Sequence, residues 1–212
     1  MNDVASLELD GHDLAIELAF ALKLATAADA VTLPHYEQRS FNLDWKANRT
    51  EVTEADRDSE LAISALVLAE RPRHGLYGEE HGVVGDADSP WRWIVDPIDG
   101  TSNFVRGIPV WATLIALTHA DHGPLVGVVS APAMGRRWWA ARGLGAVAES
   151  ATGGERPCRV SDTASIAEAQ VSVTFAAGWD RLGLDDLIAR QLPFGVFANQ
   201  RQQFGRFGQI GV

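Results

Sequence analysis

The stretch WIVDPIDGTSNF, residues 93–104, leads an apolar strand directly into Asp96 and Asp99, two aspartates separated by a Pro-Ile step. A turn is one interpretation, because Asp-Pro and Asp-Gly are strong turn signals. A binding site is another. Pro97 fixes its own φ and favours extended geometry at Asp96, so both carboxylates would face one space with the carbonyl of Ile98 between them. The remaining sequence bears on which interpretation holds.

The residues that follow this pair favour a site. Gly100 permits a close approach to the backbone, and Thr101, Ser102 and Asn103 are residue types that begin helices. The free N–H groups of such a helix start would face an anion such as a phosphate.

Composition and charge describe a globular protein with little attraction for nucleic acid. The chain has 212 residues, 46% of them hydrophobic, and a formal net charge of −10 at pH 7. Binding to a nucleic acid backbone depends on clustered Lys and Arg, so nucleic acid is not an expected partner. The basic aromatic segment GRRWWAAR (135–142) is interpreted as a strand with one packed face, with base stacking as the alternative.

The sequence shows no targeting or membrane signal. The N-terminal residues MNDVASLELDGHD lack the basic start and apolar core of a signal peptide, and the most apolar segment contains Glu17 and Lys23. Cys158 is the only cysteine, which excludes an intramolecular disulfide and fits a reducing compartment. We expect a soluble, cytoplasmic protein with no membrane partner.

Periodicity gives a coarse order of elements. Apolar spacing predicts a helix over 14–31 that ends at Pro34, and the capping-box pattern TEAD (53–56) begins a second helix. Short alternating segments between 110 and 150 predict an antiparallel meander. A further strand near Val171 and a short helix over 183–192 follow.

Three acidic groups fall at strand ends or helix starts: Asp56, Glu79 with Glu80, and Asp96 with Asp99. Carboxylates without Cys or His among them suit hard cations such as Mg²⁺. We assign every histidine to a surface or loop position and propose no zinc site, because none shows metal-binding spacing. The histidines are His12, His35, His74, His81, His119 and His122.

The motifs GEEHG (78–82), WIVDPIDGTSNFVRGIPVWATLIAL (93–117) and VGVVSAPAMGRRWWAARGLGA (126–146) resemble the inositol monophosphatase family of Mg²⁺-dependent, lithium-sensitive phosphatases. Within that family the chain is most similar to histidinol-phosphate phosphatases of the actinobacterial type. The resemblance implies an α+β fold, a layered α-β-α-β-α sandwich. It further implies an N-terminal lobe over 1–160 that carries the metal site.

The resemblance assigns roles to matching positions. The implied ligands of two or three Mg²⁺ ions are Glu79, Asp96, the carbonyl of Ile98 and Asp99. The implied catalytic set, in which Thr101 and Asp56 orient the attacking water, is Thr101, Asp56 and Glu79. The implied contacts to the substrate phosphate are Asp99, Gly100, Thr101 and Ser102. Supporting roles fall to Lys46 and Glu80. Asp56 also has a structural role as part of the capping box.

Two departures from the family pattern qualify these roles. KANRTEVTEAD (46–56) has Asn48 and Glu51 where the family commonly has Asp and Pro. The family's later W-D-x-A motif, which supplies a third aspartate, has no counterpart after Ala189. Residues 161–212 are therefore expected to form only the start of a C-terminal lobe, with an atypical tail from about 192, and the lobe is expected to be incomplete.

The expected function is Mg²⁺-dependent hydrolysis of histidinol phosphate, a small phosphate monoester, in histidine biosynthesis, with turnover impaired by the incomplete lobe. Hydrolysis of inositol 1-phosphate is the alternative within the family. An inactive remnant that binds metal or phosphate is the alternative of another class. The resemblance also implies a homodimer.

Overall fold

The computed structural model describes residues 8–9, 11–47, 50–165, 168–169, 172–173 and 197–198. Contacts between Cα atoms divide the chain into two compact units, Met1–Arg159 and Val160–Val212. The roles assigned to lobes before and after residue 160 stay predictions. The predicted helix over 183–192 lies outside the described residues, as does the tail from about 192 except for 197–198.

The described part of the first unit has three α-helices and one 3₁₀ turn: α1 (Leu14–Gln38), α2 (Glu54–Glu70), α3 (Thr101–Arg106) and the turn Pro132–Met134. Its strands are β1 (Glu8–Leu9), β2 (His12–Asp13), β3 (Leu43–Trp45), β4 (Glu51–Thr53), β5 (Gly75–Gly78), β6 (Gly82–Gly85), β7 (Trp91–Asp99), β8 (Ala112–His119), β9 (Gly123–Ala131), β10 (Arg136–Ala141), β11 (Gly145–Glu149) and β12 (Glu155–Cys158). In the second unit, β13 (Ser172–Val173) pairs in parallel with β14 (Phe197–Ala198), so the strand predicted near Val171 is present.

One mixed sheet organises the first unit, with strand order β12-β11-β10-β9-β8-β7-β5-β6. The pair β5 and β7 is parallel, whereas the other neighbouring strands are antiparallel. The predicted meander is confirmed by β8 to β11. Because β5 and β7 run in the same direction, their carboxyl ends point the same way, so Glu79, which follows β5, and Asp96, near the end of β7, come next after the paired residues Gly78 and Val95.

Helices α1 and α2 pack against one face of this sheet and bury its core. Leu24 of α1, Ile63 of α2 and Leu117 of β8 are fully buried in a single cluster with Trp93. The Phe20 ring meets the Trp93 ring edge-on at 5.4 Å between centroids. Burying such side chains is the main favourable contribution to folding, about 1.5–3 kcal/mol for each aliphatic one. The α+β class predicted from the sequence is confirmed.

The predicted end of α1 at Pro34 is wrong, because the helix continues to Gln38. Proline removes one N–H from the helical hydrogen-bond series. Contacts outside the helix hold the last turn in place. The Tyr36 hydroxyl donates to the carbonyl oxygen of Gly107 at 2.8 Å, and Arg39 ends the helix in the left-handed conformation at φ 53°.

The capping box at the start of α2 forms as predicted. The Thr53 N–H and hydroxyl donate to Asp56 Oδ2 at 2.8 and 2.6 Å, and the Asp56 N–H donates to Thr53 Oγ1 at 3.4 Å. Both residues are buried. The carboxylate is thereby fixed at the buried start of the helix.

The assignment of every histidine to a surface or loop position is wrong for His119, which is buried in β8, whereas His74 lies in the loop before β5 but is also buried. His74 and His119 are only 2% and 5% exposed. The Trp93 Nε1–H donates to His74 Nδ1 at 3.2 Å, so this ring accepts a hydrogen bond in its neutral form. Burial lowers the pKa of His74 to about 4. Apolar packing, which leaves no spacing signature, determines these positions.

The basic aromatic segment forms strand β10, as the strand interpretation predicts. Trp139 packs against the core, and Arg137 donates to Asp29 of α1 at 2.5 Å. Among the described helices, none has the length and apolarity to cross a membrane. The expected compartment stays a prediction.

Candidate active site

A bulge in β7 brings Asp96 and Asp99 to the same face of the sheet. In a regular strand, residues three apart point to opposite faces. Here Asp96 pairs with Leu114 and Asp99 pairs with Ala112, so β7 has one residue more than β8 between the two pairs. Directly paired residues share a face, and Leu114 and Ala112 are two apart on β8. The bulge therefore gives both aspartates one orientation.

Thr113 lies opposite the extra residue and stabilises the bulge. Its buried hydroxyl donates to the carbonyl oxygen of Pro97 at 2.8 Å, which satisfies an acceptor that the interrupted ladder leaves open. Ile98 turns its side chain into a second apolar cluster with Phe104 and Trp111. The turn interpretation and the site interpretation of the opening stretch therefore describe the same piece of backbone.

Helix α2 places Asp56 beside this turn. The Thr101 hydroxyl lies 3.3 Å from Asp56 Oδ1 and 3.0 Å from the carbonyl oxygen of Ile98. Burial raises the pKa of Asp56, with hydrogen bonds from Thr53 acting in the opposite direction. The structure thus brings together the hydroxyl and carboxylate that the sequence predicts as partners.

Among the described carboxylates of this group, Asp96 is the one with a buried oxygen that lacks a partner. Its Oδ1 atom is buried and has no hydrogen-bond partner in the described part of the chain. Burial raises the pKa of Asp96 to about 7, and the neighbouring carboxylates of Glu79, Asp99 and Asp56 add to this rise. Like charges disfavour ionisation of the group, and a nearby cation would favour it.

Lys46 supplies a positive charge at this edge. Its ammonium group lies 2.7 Å from Glu79 Oε1 and 2.6 Å from Glu80 Oε1. Partial burial acts to lower the pKa of Lys46, but the hydrogen bonds and charges of the two glutamates outweigh it and raise that pKa. Glu80 is nearly buried, with 8% of its side chain exposed, whereas Glu79 is 49% exposed. Glu79 is therefore the more accessible of the two.

The turn that carries these glutamates rests on Glu60, which the sequence reasoning missed. Glu60 lies one helical turn after Asp56 on α2 and is fully buried. Its carboxylate accepts the N–H groups of Glu80 and His81, both at 2.8 Å. The spacing of Asp56 and Glu60 on the second helix is the one signal that could have indicated a shared face.

The Ser102 side chain contacts Glu51 and Arg106, and its predicted phosphate contact stays a prediction. Its hydroxyl donates to Glu51, which also accepts from Arg106 at 2.9 Å. Hydrogen bonds from Arg106 and then Ser102 hold the pKa of Glu51 below its usual range. The Ser102 hydroxyl is engaged, so its backbone N–H remains for the predicted phosphate contact. Gly100 lies two residues before Ser102, and its φ of 92° is a conformation that favours glycine.

The donor set fits a hard divalent cation in its chemistry. It offers carboxylates, a main-chain carbonyl and one buried unpaired oxygen, without thiolate or imidazole. As they stand, no three Asp, Glu, His or Cys side chains of the described residues are gathered closely enough to hold an ion. The Glu79 carboxylate instead accepts a hydrogen bond from the Lys46 ammonium, which serves as its counter-ion.

An open groove of about 550 Å³ extends from this edge across the sheet face opposite α1 and α2. Glu79 and Asp96 line one end of it, and the rest is mostly apolar, including Tyr77, Ile94 and Leu114. A second cavity, of about 570 Å³, lies at the other ends of β5 and β7 against His74 and Trp91. Of these two cavities, the first is the one lined by Glu79 and Asp96.

Adjacent strand ends of this α+β sheet thus carry Glu79 and Asp96 beside Thr101 and a tight turn. The chain belongs to the inositol monophosphatase family, whose sequence profile matches residues 13–202. Members of this family use metal ions, generally Mg²⁺.

Individual relatives agree with this membership. The chain is 46% identical over 196 residues to a histidinol-phosphatase of Mycobacterium tuberculosis, covering 88% of this chain and 72% of that protein. It is 42% identical over 170 residues to a histidinol-phosphatase of Streptomyces coelicolor, covering 79% of this chain and 63% of that protein. The structure resembles the extragenic suppressor protein SuhB of Bartonella henselae with a TM-score of 0.73 and 26% identity, over 86% of this chain and 70% of that chain.

Proposed function

We propose that this chain is a phosphate monoester hydrolase that acts on histidinol phosphate with the help of a divalent cation. The observation that carries the proposal is the buried, unpaired Asp96 Oδ1 among the carboxylates of Glu79, Asp99 and Asp56. A buried acidic group of this kind calls for a positive partner. The names of the two relatives support the choice of substrate.

The proposed cation ligands are Glu79, Asp96, the carbonyl of Ile98 and Asp99. A divalent cation, generally Mg²⁺ in this family, would neutralise charge on the phosphoryl oxygens and lower the pKa of the attacking water. Occupation of the site would require Glu79 to exchange the Lys46 ammonium, now 2.7 Å away, for the ion.

Asp56 and Thr101 are the proposed pair that orients the attacking water. The Thr101 hydroxyl has one hydrogen and two nearby acceptors, at 3.3 and 3.0 Å, so its own oxygen is left to accept a hydrogen bond from water. Asp56 is buried and held by Thr53, which fixes the direction of that hydroxyl. With Glu79 these residues form the proposed catalytic set.

The substrate phosphate is proposed to bind at the turn after β7, near Asp99, Gly100, Thr101 and Ser102. The first N–H groups of α3 precede the first helical hydrogen bonds, which the Asn103 and Phe104 N–H groups make to the carbonyl oxygen of Gly100 at 2.8 and 3.1 Å. Lys46 is proposed to support the site by pairing with both Glu79 and Glu80. The homodimer implied by the family stays a prediction.

Phosphate release in the presence of Mg²⁺ tests this function directly. Histidinol phosphate and inositol 1-phosphate are compared at equal concentrations, with Asp96→Asn as the matched inactive control. We expect faster release from histidinol phosphate and at least about a hundredfold loss in the variant. Preference for inositol 1-phosphate would favour the second family activity. No release above the variant from either ester would favour the non-catalytic alternative.

A further inference from the structure

We infer that Glu60 is a positioning residue that sets the direction of the Glu79–Glu80 turn and thereby the cation affinity of the site. The inference deepens the proposed function and rests on it, because it concerns the same carboxylate edge. Glu60 touches none of the proposed substrate or cation positions. It acts through the backbone of the turn.

The contacts of the Glu60 carboxylate are made to backbone and side-chain donors of one short segment. Oε2 accepts the Glu80 N–H at 2.8 Å. Oε1 accepts the His81 N–H at 2.8 Å and lies 3.0 Å from His81 Nδ1. Hydrogen bonds from N–H groups to an ionised carboxylate are roughly twice as strong as neutral ones. The segment directly after Glu79 is therefore fixed to α2.

Gly78 shows how closely the strand approaches this carboxylate. A Cβ atom at position 78 would lie 2.1 Å from Glu60 Oε1 and 2.3 Å from its carboxyl carbon. Glu60 is fully buried and held by N–H donors, so it has little freedom to move aside. The glycine of the GEEHG motif is thus required by the carboxylate beneath it.

One face of α2 serves both halves of the site. Asp56 reaches the turn after β7 through Thr101, and Glu60, four residues later, reaches the turn after β5. Residues four apart lie on the same side of a helix. Because β5 and β7 are adjacent and parallel, one helix fixes the two turns relative to each other.

The test uses the full chain, with Mg²⁺ as the probe in calorimetric titration. Glu60→Gln replaces one acceptor oxygen with an amide that faces N–H donors. We expect the Mg²⁺ dissociation constant to rise at least tenfold, the range seen when residues that orient metal ligands are changed. Glu17→Gln is the matched control. Glu17 is also a buried carboxylate, but it accepts a hydrogen bond from Arg71 at 3.0 Å and does not contact the Glu79–Glu80 turn. An unchanged Mg²⁺ affinity in Glu60→Gln would overturn the inference.

Amide hydrogen exchange supplies a readout that needs no cation. The Glu80 and His81 N–H groups should exchange at least tenfold faster in Glu60→Gln than in the parent chain, and at the parent rate in Glu17→Gln. Slow exchange retained in Glu60→Gln would overturn the inference whether or not Mg²⁺ binds. Absence of Mg²⁺ binding in the parent chain, together with faster exchange in the variant, would count against the proposed cation site but not against the role of Glu60 in the turn.

If Glu60→Gln fails to fold, the contact between positions 60 and 78 can be tested with Gly78→Ala, Glu60→Asp and the double variant. Gly78→Ala should increase exchange at Glu80 and His81, because the new methyl group displaces the carboxylate. The shorter carboxylate of Glu60→Asp leaves space for that methyl group, so the double variant should be less impaired than the sum of the two single changes. Strict additivity of the two changes would contradict the proposed contact.

Discussion

The Thr101 hydroxyl lies 3.3 Å from Asp56 Oδ1 and 3.0 Å from the Ile98 carbonyl oxygen, so one side chain joins the second helix to the turn after β7. The same Asp56 closes the capping box with Thr53. A structural role and a catalytic role therefore fall on one carboxylate, and they can be separated by experiment.

Asp56→Asn should lower kcat/KM for histidinol phosphate by at least about a hundredfold, because the amide cannot hold the Thr101 hydroxyl as a charged acceptor does. The free energy of unfolding should fall by only about 1 kcal/mol, the usual effect of weakening a helix cap. Steady-state kinetics and chemical denaturation measure the two effects. Thr101→Ser, which keeps a hydroxyl, is the control. A loss of stability without a loss of turnover would leave Asp56 as a cap alone.

Asp96→Asn should stabilise the cation-free protein near pH 8. The pKa of Asp96 is raised to about 7, chiefly by burial. Its carboxyl stays protonated in the folded chain between pH 4 and 7 while it ionises in the unfolded chain. Stability from this group is thus fully present below about pH 4 and is lost as the pH rises through 7.

Thermal denaturation in a chelator, from pH 4 to 8, measures this dependence. The melting temperature of Asp96→Asn should exceed that of the parent chain by a margin that grows as the pH rises, because this difference isolates the contribution of Asp96. Added Mg²⁺ should raise the melting temperature of the parent and leave the variant unchanged. Equal pH profiles for the two proteins would show that ionisation of Asp96 does not destabilise the cation-free fold.

His74 should make the fold sensitive to mild acid. Burial lowers its pKa to about 4, and the ring accepts the Trp93 Nε1–H at 3.2 Å. In the unfolded chain the imidazole gains a proton near pH 6.5, but in the folded chain it does not. Stability is therefore complete above about pH 6.5 and falls as the pH decreases towards 4, by up to about 3 kcal/mol. Denaturation of His74→Asn between pH 4 and 7 should show a shallower acid loss than the parent chain, and an identical loss would contradict this origin.

Arg106→Ala should weaken phosphate binding by about tenfold. Glu51 is nearly buried, with 7% of its side chain exposed, and its carboxylate is partnered by Arg106 and Ser102. Without the guanidinium, a negative charge remains beside the turn proposed to hold the phosphate. The inhibition constant of inorganic phosphate measures the effect. Glu51→Gln combined with Arg106→Ala should restore binding, and equal inhibition in the single and double variants would exclude the electrostatic explanation.

The sequence predicts well what depends on local pattern. The capping box at Thr53 and the meander from β8 to β11 follow from spacing and turn residues, and the structure contains both. The grouping of Asp56 with Thr101 came from a family motif, since the two residues are 45 positions apart. The continuation of α1 past Pro34 depends on Tyr36 reaching Gly107, a contact that no local rule contains.

The remaining parts of the site depend on tertiary approach. Glu60 and Glu51 read in the sequence as ordinary charged residues of a helix and a strand, yet one is fully buried and the other nearly so. Their partners, at Glu80, His81 and Arg106, are about 20 and 55 residues away. Carboxylates are accommodated at these positions because hydrogen-bond donors surround them, and those donors come together only when the chain folds.

Because of the bulge in β7, the candidate site depends on the number of residues between Asp96 and Asp99 as well as on their chemistry. Deleting either Pro97 or Ile98 would leave both aspartates in the sequence and the β7–β8 ladder free to pair regularly. Asp99 would then lie two residues after Asp96, as in a regular strand. The present arrangement of the Ile98 carbonyl, the Pro97 carbonyl and the Thr113 hydroxyl would be lost. Deleting one residue would therefore remove the turn, although a sequence search for the two aspartates alone would still find both of them.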